Sequence, residues 1–225
     1  MASQIDDLQD ELVRTAHAVM DSGAISMSRH GNASLRVPGR DEMIFTAGGS
    51  LAGFSRAGVA RIGLDGTLLE GNLPPLAGAV VDMHTAIYRE RADAGCVIHT
   101  HSPYATAFAV ANQPIECWTE AFGIFGLYDG VPVAGYGPRG SKQSVDNIRD
   151  VLGARIQAVL LANHGVLAWH RTAPEAINVG VIVEEAAQSA IYAAGIGGAK
   201  AIPPELLHAS QERAASFEAT GTRHG

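Results

Sequence analysis

The stretch Cys-Val-Ile-His-Thr-His at residues 96–101 joins a short apolar run to two histidines, His99 and His101. Side chains two residues apart on a strand point to the same face of a sheet, so both imidazoles can converge on one cation. A third histidine, His164, follows a second apolar run, Val-Leu-Leu at residues 159–161. Three histidines that leave one coordination position open are typical of catalytic zinc. The sequence therefore predicts a divalent metal ion bound where two buried strands end.

Strands and helices are predicted to alternate on both sides of this stretch. The serine and proline at residues 102–103 are an N-cap and first-turn pair, so a helix to about residue 110 begins directly after the histidines. A capping box of Thr172 and Glu175 begins the last long helix. Further strands are predicted at 33–37, 43–46, 59–64, 67–69, 131–133, 159–162 and 166–169, and further helices at 5–21, 77–91, 141–153 and 172–194. This order predicts an α/β fold, and the tight turns favour a mixed sheet.

Length and composition predict one domain without a nucleic-acid or membrane surface. The chain has 225 residues, 47% of them apolar, which suffices for one sizeable core over residues 1–225. Its net charge is −7 with no basic run, which argues against nucleic acid and anionic membranes as partners. No continuous apolar stretch approaches the ~18 residues of a membrane helix, and the acidic start does not resemble a signal peptide. Only two cysteines are present, Cys96 and Cys117, which favours a reduced, cytoplasmic protein with Cys96 in the core.

Six short motifs follow one another along most of the chain. They are Gly-Asn-Ala-Ser at 31–34, Thr-Ala-Gly-Gly at 46–49, Glu-Gly-Asn-Leu-Pro at 70–74, His-Thr-Ala-Ile-Tyr at 84–88, His-Thr-His-Ser at 99–102 and Asn-His-Gly at 163–165. Their order and spacing resemble the class II aldolase/adducin superfamily, which includes fuculose-phosphate aldolase and ribulose-phosphate 4-epimerase. The resemblance implies a single-domain, three-layer α/β/α fold around a mainly antiparallel sheet, with its core at about 8–195 and a C-terminal tail at 203–225. It also implies a homotetramer with active sites between subunits.

The same resemblance assigns the metal ligands. It implies one divalent metal ion per subunit, most often Zn²⁺ with Mn²⁺ or Fe²⁺ as alternatives, held by His99, His101 and His164. The alternative is that these are ordinary core histidines, as in adducin-like members without a metal. His84 matches a family histidine on the helix before the metal strand, and we expect a hydrogen-bonded core residue rather than a ligand.

The chain departs from the sugar-phosphate aldolases where they bind phosphate. Those enzymes carry a Ser-Ser-Glu segment whose serines bind phosphate and whose glutamate is the acid/base, whereas residues 78–84 here read Gly-Ala-Val-Val-Asp-Met-His. A phosphate dianion needs several hydrogen-bond donors and positive charge, and few are left. We therefore expect an unphosphorylated substrate. The residues expected to bind it are Gly31, Asn32, Thr46, Gly48 and Arg139, and a carboxylate is the expected anionic group.

Glu120 is the candidate for the missing acid/base. It lies in the apolar stretch Cys-Trp-Thr-Glu-Ala-Phe at 117–122, where loss of hydration would favour its protonated form. In this region relatives carry an acid/base group that reaches a neighbouring subunit's site. Asp82 is an alternative carboxylate, Tyr128 and Tyr136 are lesser candidates for substrate contact, and a solvated Glu120 without a catalytic role stays open.

The predicted activity is cleavage of a carbon–carbon bond in a small hydroxy-oxo compound. The resemblance implies an aldolase-type lyase that works through a metal-stabilised enolate. Because decarboxylation needs no base to take a proton from the departing group, the missing glutamate keeps a hydroxy- or oxo-acid decarboxylase as the second prediction. An epimerase, a dehydratase, an Fe(II) oxygenase and a metal-free interaction protein are the remaining alternatives.

Overall fold

The computed structural model describes the backbone of residues 2–219 and the side chains of residues 4–216. The strands in this part of the chain are β1 (Gly31–Arg36), β2 (Glu42–Thr46), β3 (Val59–Gly63), β4 (Leu68–Glu70), β5 (Cys96–Thr100), β6 (Val133–Ala134), β7 (Ala158–Leu161) and β8 (Gly165–His170). The α-helices are α1 (Ala2–Asp21), α2 (Pro75–Glu90), α3 (Pro103–Ala111), α4 (Glu120–Ile124), α5 (Lys142–Val151), α6 (Ala173–Ala193) and α7 (Pro204–Ala219).

The strands form one sheet in the order β4-β3-β2-β1-β5-β8-β7-β6. Neighbouring strands are antiparallel except for the β6–β7 pair, which confirms the predicted mixed, mainly antiparallel sheet. β5 lies at the centre, where Asn32 of β1 and Leu167 of β8 are both opposite His99. The end of β5 that carries the two histidines is therefore flanked by strands on both sides.

Helices cover both faces of the sheet, as the three-layer fold requires. Alternate residues of β8 show the division, since Val166 and Ala168 pack with one apolar cluster and Leu167 and Trp169 pack with the other. The first cluster includes side chains of α1, α3 and α6, and the second includes side chains of α2 and α5. Cys96 is fully buried in the first cluster, as expected.

The C-terminal third differs from the prediction in two places. The strand predicted at 131–133 is reduced to Val133–Ala134, and Val131 forms only an isolated bridge with Ile115. Two helices were not predicted, α4 and α7, and α7 occupies much of the predicted tail. The two helices pack closely at Gly123 of α4. A Cβ added there would lie 2.8 Å from the carbonyl oxygen of Leu207 in α7. Residues 220–225 of the predicted tail lie outside the described residues.

One described helix passes a length and composition test for a membrane span. Residues 173–196, which include α6, have a mean hydropathy of 1.2 over 18 residues, although Glu184 and Glu185 interrupt the apolar run. The buried share of that window is 44%, and α6 packs on β8 and α3. Core helices of soluble proteins pass the same test, so it is weak support for a membrane span.

Candidate metal centre

The structure brings the three predicted histidines together. His99 is the fourth residue of β5 and His101 follows that strand, while His164 lies in the turn between β7 and β8. Asn163 adopts a left-handed conformation (φ 58°), and the His164 N–H donates to the Leu161 carbonyl at 2.9 Å. This tight turn directs His164 toward the end of β5.

Gly165 is required for this arrangement. A Cβ at this position would lie 2.6 Å from the Thr100 carbonyl oxygen and 3.0 Å from the ring of His101. Such distances are shorter than real Cβ contacts allow, so any other residue would separate β8 from the end of β5. The glycine of the Asn-His-Gly motif therefore permits the close approach of the three rings.

The ring nitrogens are close enough to share one ion. The ring centroids lie 4.7 to 5.0 Å from one another, and one possible ligand atom from each residue lies within 4.8 Å of the other two. The Nε2 atoms of His99 and His101 are 3.1 Å apart. Two nitrogens bound tetrahedrally to zinc at about 2.05 Å would be about 3.3 Å apart. The spacing therefore fits a divalent cation held by three imidazoles.

A hydrogen bond orients His99 for coordination. Its Nδ1–H donates to the Val166 carbonyl at 2.9 Å, which leaves the lone pair of Nε2 for a metal ion. Without a metal ion, the two adjacent Nε2 atoms of His99 and His101 share at most one proton. A cation between these nitrogens would satisfy the two lone pairs together, which is the chemical argument for a metal site.

All three histidines are held neutral, the form that binds metal. Burial and the neighbouring His164 and His101 hold the pKa of His99 well below its usual value. Burial, His101 and Arg139 lower the pKa of His164 to about 4. The pKa of His101 is lowered by burial, by His30 and by Arg139. Protons therefore compete little with a metal ion at neutral pH.

A cavity of about 140 Å³ lies beside these histidines. Among the described residues it is lined by His30, Gly31, Asn32, Gly48, Gly49, Leu76, Ala77, Val80, His99, His101 and Arg139. Four of the five predicted substrate-binding residues are thus at the cavity. Arg139 also donates through Nη2 to His164 Nε2 at 3.3 Å, so its charge lies next to the candidate metal position. No carboxylate is among these lining residues.

Thr46 does not line the cavity, and the expectation that its side chain binds substrate is corrected. The side chain is fully buried. Its Oγ1 accepts a hydrogen bond from the Ala33 N–H at 2.9 Å and donates one to the Ala33 carbonyl oxygen at 3.3 Å. Because the hydroxyl bonds the backbone of β1, Thr46 fixes the start of the loop that carries Gly48.

The candidate carboxylates lie elsewhere on this chain. Glu120 is exposed at the first turn of α4, where it accepts a hydrogen bond from Ser210 of α7 at 3.1 Å, so the expected apolar surroundings are absent. Asp82 is exposed and lies 3.6 Å from where a Cβ of Gly66 would be, in the β3–β4 turn. Neither is among the cavity residues.

The two tyrosine candidates are also away from the cavity. The ring of Tyr128 packs against His208 of α7, with centroids 5.1 Å apart. Tyr136 is 60% exposed on the surface. Neither tyrosine is among the residues that line the cavity, so a contact with substrate bound to the same chain is not supported.

Sequence reasoning missed His30. It lines the cavity, and its ring centroid lies 6.1 Å from that of His101. Arg29 before it has a left-handed backbone (φ 58°), and His30 bridges to Ser50 next to the Gly48–Gly49 loop. Its position directly before the Gly-Asn pair was the available signal.

The start of α3 is capped differently from the prediction. Ser102 is at the N-cap position but makes no side-chain capping bond. The carboxylate of Glu184 in α6 accepts the N–H groups of Tyr104 at 2.9 Å and Ala105 at 2.8 Å. A residue about eighty positions away therefore holds the helix that follows His101.

His84 is a hydrogen-bonded core residue, as expected. It is fully buried, its Nδ1 contacts Ser34 Oγ at 2.8 Å and its Nε2 contacts Asn32 Oδ1 at 2.5 Å. Burial lowers its pKa to about 3. Because Asn32 and Ser34 occupy both ring nitrogens, His84 has none left for a metal ion.

A larger cavity, about 410 Å³, lies at the opposite end of β8 and includes Trp169 and His170. Among the described residues, the group suited to a metal ion is His99, His101 and His164. The ligand set therefore favours the smaller cavity as the functional site.

Known proteins with similar sequences and structures show the family of the chain. Residues 10–191 match the family described as Class II Aldolase and Adducin N-terminal domain. The chain is 32% identical over 163 residues to the 5-deoxy-D-ribulose 1-phosphate aldolase of Bacillus thuringiensis serovar kurstaki, covering 72% of this chain and 73% of that protein. It is 29% identical over 147 residues to the L-ribulose-5-phosphate 4-epimerase UlaF of Salmonella paratyphi B, covering 61% and 64%. A solved L-fuculose 1-phosphate aldolase superimposes with a TM-score of 0.80 at 26% identity, covering 92% of this chain and 95% of that one.

Proposed function

The chain belongs to the class II aldolase and adducin family, and we propose that it is a metal-dependent lyase that cleaves a carbon–carbon bond in a small hydroxy-oxo compound. One observation carries the proposal. Three neutral imidazoles with converging nitrogens lie at the edge of the cavity. Among the described residues that line this cavity, Arg139 is the one that is permanently charged. Such a site favours an anionic substrate and negative charge that develops during the reaction.

The proposed roles of the residues follow from their positions. His99, His101 and His164 would hold the cation, for which zinc is the first candidate and manganese or iron the alternatives. When bound, it would supply Lewis-acid stabilisation of the charge that appears as the bond breaks. Arg139 and Asn32 would bind the anionic end of the substrate, and the backbone at Gly31 and Gly48 lets that end approach closely.

We propose that the substrate is unphosphorylated. The residues of α2 that line the cavity are Leu76, Ala77 and Val80, which offer no side-chain hydrogen-bond donors. A carboxylate needs fewer donors than a phosphate dianion and is satisfied by one arginine and one amide. The relatives described above are named for phosphorylated sugars, so this proposal separates the chain from them.

Glu120 is proposed as the acid/base of a neighbouring subunit in a homotetramer. Its exposure on α4 leaves it accessible to a second copy of the chain, and Ser210 orients the carboxylate. A Glu120→Gln variant is expected to lose about 10²-fold or more in turnover while it keeps its metal ion. Unchanged turnover would exclude this role.

We also propose that the enzyme works in the cytoplasm.

A decarboxylase is the second candidate because no carboxylate is among the described residues that line the cavity. Loss of CO₂ needs no base to accept a proton from the leaving group, and solvent water would supply the proton that the remaining carbanion takes up.

The products separate the two candidates. The zinc-loaded protein is incubated with hydroxy-oxo acids and with the corresponding 1-phosphates, and both aldehyde and CO₂ are measured. We expect an aldehyde from an unphosphorylated compound, and CO₂ release instead would favour the decarboxylase. Use of the phosphate esters alone would contradict the unphosphorylated substrate.

A further inference from the structure

A continuous chain of buried hydrogen bonds runs from α2 to the cavity. Tyr88, Ser34 and His84 are each at most 2% exposed, and Asn32 is 6% exposed at the cavity wall. Tyr88 Oη lies 2.9 Å from Ser34 Oγ, Ser34 Oγ lies 2.8 Å from His84 Nδ1, and His84 Nε2 lies 2.5 Å from Asn32 Oδ1. These four residues link the helix interior to a side chain that lines the site.

The protons of this chain can be placed in order. With Asn32 Oδ1 as acceptor, the proton of His84 lies on Nε2, so Nδ1 must accept from the Ser34 hydroxyl. The Tyr88 hydroxyl then donates to Ser34, whose Oγ and carbonyl oxygen are both 2.9 Å away. Each group thus donates to the next, from Tyr88 to Asn32.

With this order of protons, the Asn32 amide presents its other group to the cavity. Because Oδ1 is taken by His84, the Nδ2 group is left for the cavity, and it has no hydrogen-bond partner within the described part of the chain. Arg139, Gly48 and Gly49 line the same cavity, and no acidic side chain is among the lining residues described. The Asn32 amide and the Arg139 guanidinium therefore border the same space.

We propose that Ser34, His84 and Tyr88 are positioning residues that hold the Asn32 amide with its NH₂ group toward the substrate. The substrate group bound at Asn32 is then a hydrogen-bond acceptor, such as a carboxylate oxygen, and not a hydroxyl donor. This inference rests on the proposed function for its substrate, but not for its geometry.

The reversed arrangement makes the opposite prediction. If His84 carried its proton on Nδ1, that proton would go to Ser34 Oγ, and Nε2 would accept from Asn32 Nδ2. The amide would then turn its oxygen toward the cavity and repel a carboxylate. The protonated nitrogen of His84 therefore reports which group Asn32 presents.

The first test is the tautomer of His84 in the zinc-loaded protein at neutral pH. Long-range ¹H–¹⁵N correlation spectra separate a ring protonated at Nε2 from one protonated at Nδ1, and the signal is assigned by its shift in Ser34→Ala. We expect protonation at Nε2. Protonation at Nδ1 overturns the proposal, whichever reaction the protein catalyses.

The second test measures acetate binding to the zinc-loaded protein by calorimetry, with metal content checked for every variant. Asn32→Ala removes the amide without adding charge, and we expect about tenfold weaker binding, whereas with the reversed amide it would remove a repelling oxygen and not weaken binding. Ser34→Ala removes the donor to His84 and is expected to weaken binding severalfold, whereas Tyr88→Phe keeps that donor and changes binding less. Equal or tighter acetate binding by Asn32→Ala overturns the inference. Because this readout needs no turnover, failure to find a lyase substrate leaves it interpretable.

Discussion

The candidate metal ligands and the core residue His84 are two groups of histidine that differ in what their ring nitrogens contact. Both ring nitrogens of His84 have protein partners, Ser34 and Asn32. Both ring nitrogens of His99 also have partners, but these are the Val166 carbonyl and the Nε2 of His101, which is itself a candidate ligand. Burial lowers the pKa of both residues, so burial does not separate a ligand from a core residue. The kind of partner does separate them: a metal ion can replace the proton between His99 and His101, whereas Ser34 and Asn32 hold both nitrogens of His84.

The first prediction removes one member of each group. His99→Ala is expected to abolish stoichiometric metal binding and to lower turnover by about 10³-fold or more, which corresponds to about 4 kcal/mol of transition-state stabilisation. His84→Ala should keep the metal ion. Metal per chain, measured by elemental analysis after gel filtration, checks both expectations. Full metal content in His99→Ala would remove the distinction between the groups.

The second prediction concerns the stability of the metal-free protein. His84→Ala leaves Ser34 and Asn32 without a buried partner and opens a cavity, so we expect a loss of about 3 kcal/mol in the free energy of unfolding. His99→Ala should cost less, because its partner His101 is only partly buried and can hydrogen-bond water once His99 is removed. Urea unfolding in chelator compares them, and equal losses would show that the two groups are held alike.

The third prediction concerns the pH dependence of that stability. In the folded protein the pKa is about 3 for His84 and about 4 for His164, and it is also lowered for His99 and His101. The unfolded chain, with values near 6.5, therefore binds more protons below that pH. Stability should be constant above about pH 7.5 and fall as the pH drops from 6.5 toward 4, by up to about 1.4 kcal/mol per pH unit for each histidine.

Urea unfolding in chelator at several pH values measures this slope. His84→Ala should reduce it by up to one proton over the same interval. Ser141→Ala, which removes the N-cap of α5 and no hydrogen bond to a titratable group among the described residues, should leave it unchanged. A metal-free protein whose stability does not change between pH 6.5 and 4 would contradict the neutral, buried state of these rings.

The fourth and smallest effect concerns the helix that follows His101. Glu184→Ala removes the acceptor for two N–H groups at the start of α3, and we expect a loss of about 1–3 kcal/mol together with weaker metal binding. Thr172→Ala is the matched control at the capping box of α6, with an expected loss of about 1 kcal/mol and unchanged metal affinity. Both are measured by urea unfolding and competitive metal titration. Identical metal affinities would show that α3 does not position His101.

The sequence predicts the features that depend on local spacing. The alternation of apolar residues in β5 and β8 locates the buried strands, and two histidines at strand spacing share a face. The core role of His84 follows from its motif. These features need only neighbouring residues or a recognisable order of motifs, and the sheet confirms them.

Contacts between distant residues could not be predicted in this way. Glu184 caps α3 from α6, and Thr46 turns its hydroxyl to the backbone of β1, and no local pattern encodes either contact. Glu120 was expected to be shielded by its apolar neighbours in the chain, but those neighbours pack inward while Glu120 points outward toward Ser210. The helices α4 and α7 stabilise each other, so neither is evident from its own sequence.

The central claim is that His99, His101 and His164 bind one divalent metal ion. Elemental analysis of protein purified without chelator, beside His164→Ala prepared in parallel, tests it most directly. The account predicts close to one transition-metal ion per chain, and a large loss in the variant. Metal-free protein that stays metal-free after incubation with zinc, manganese or iron would contradict it, and the three histidines would then be core residues like His84.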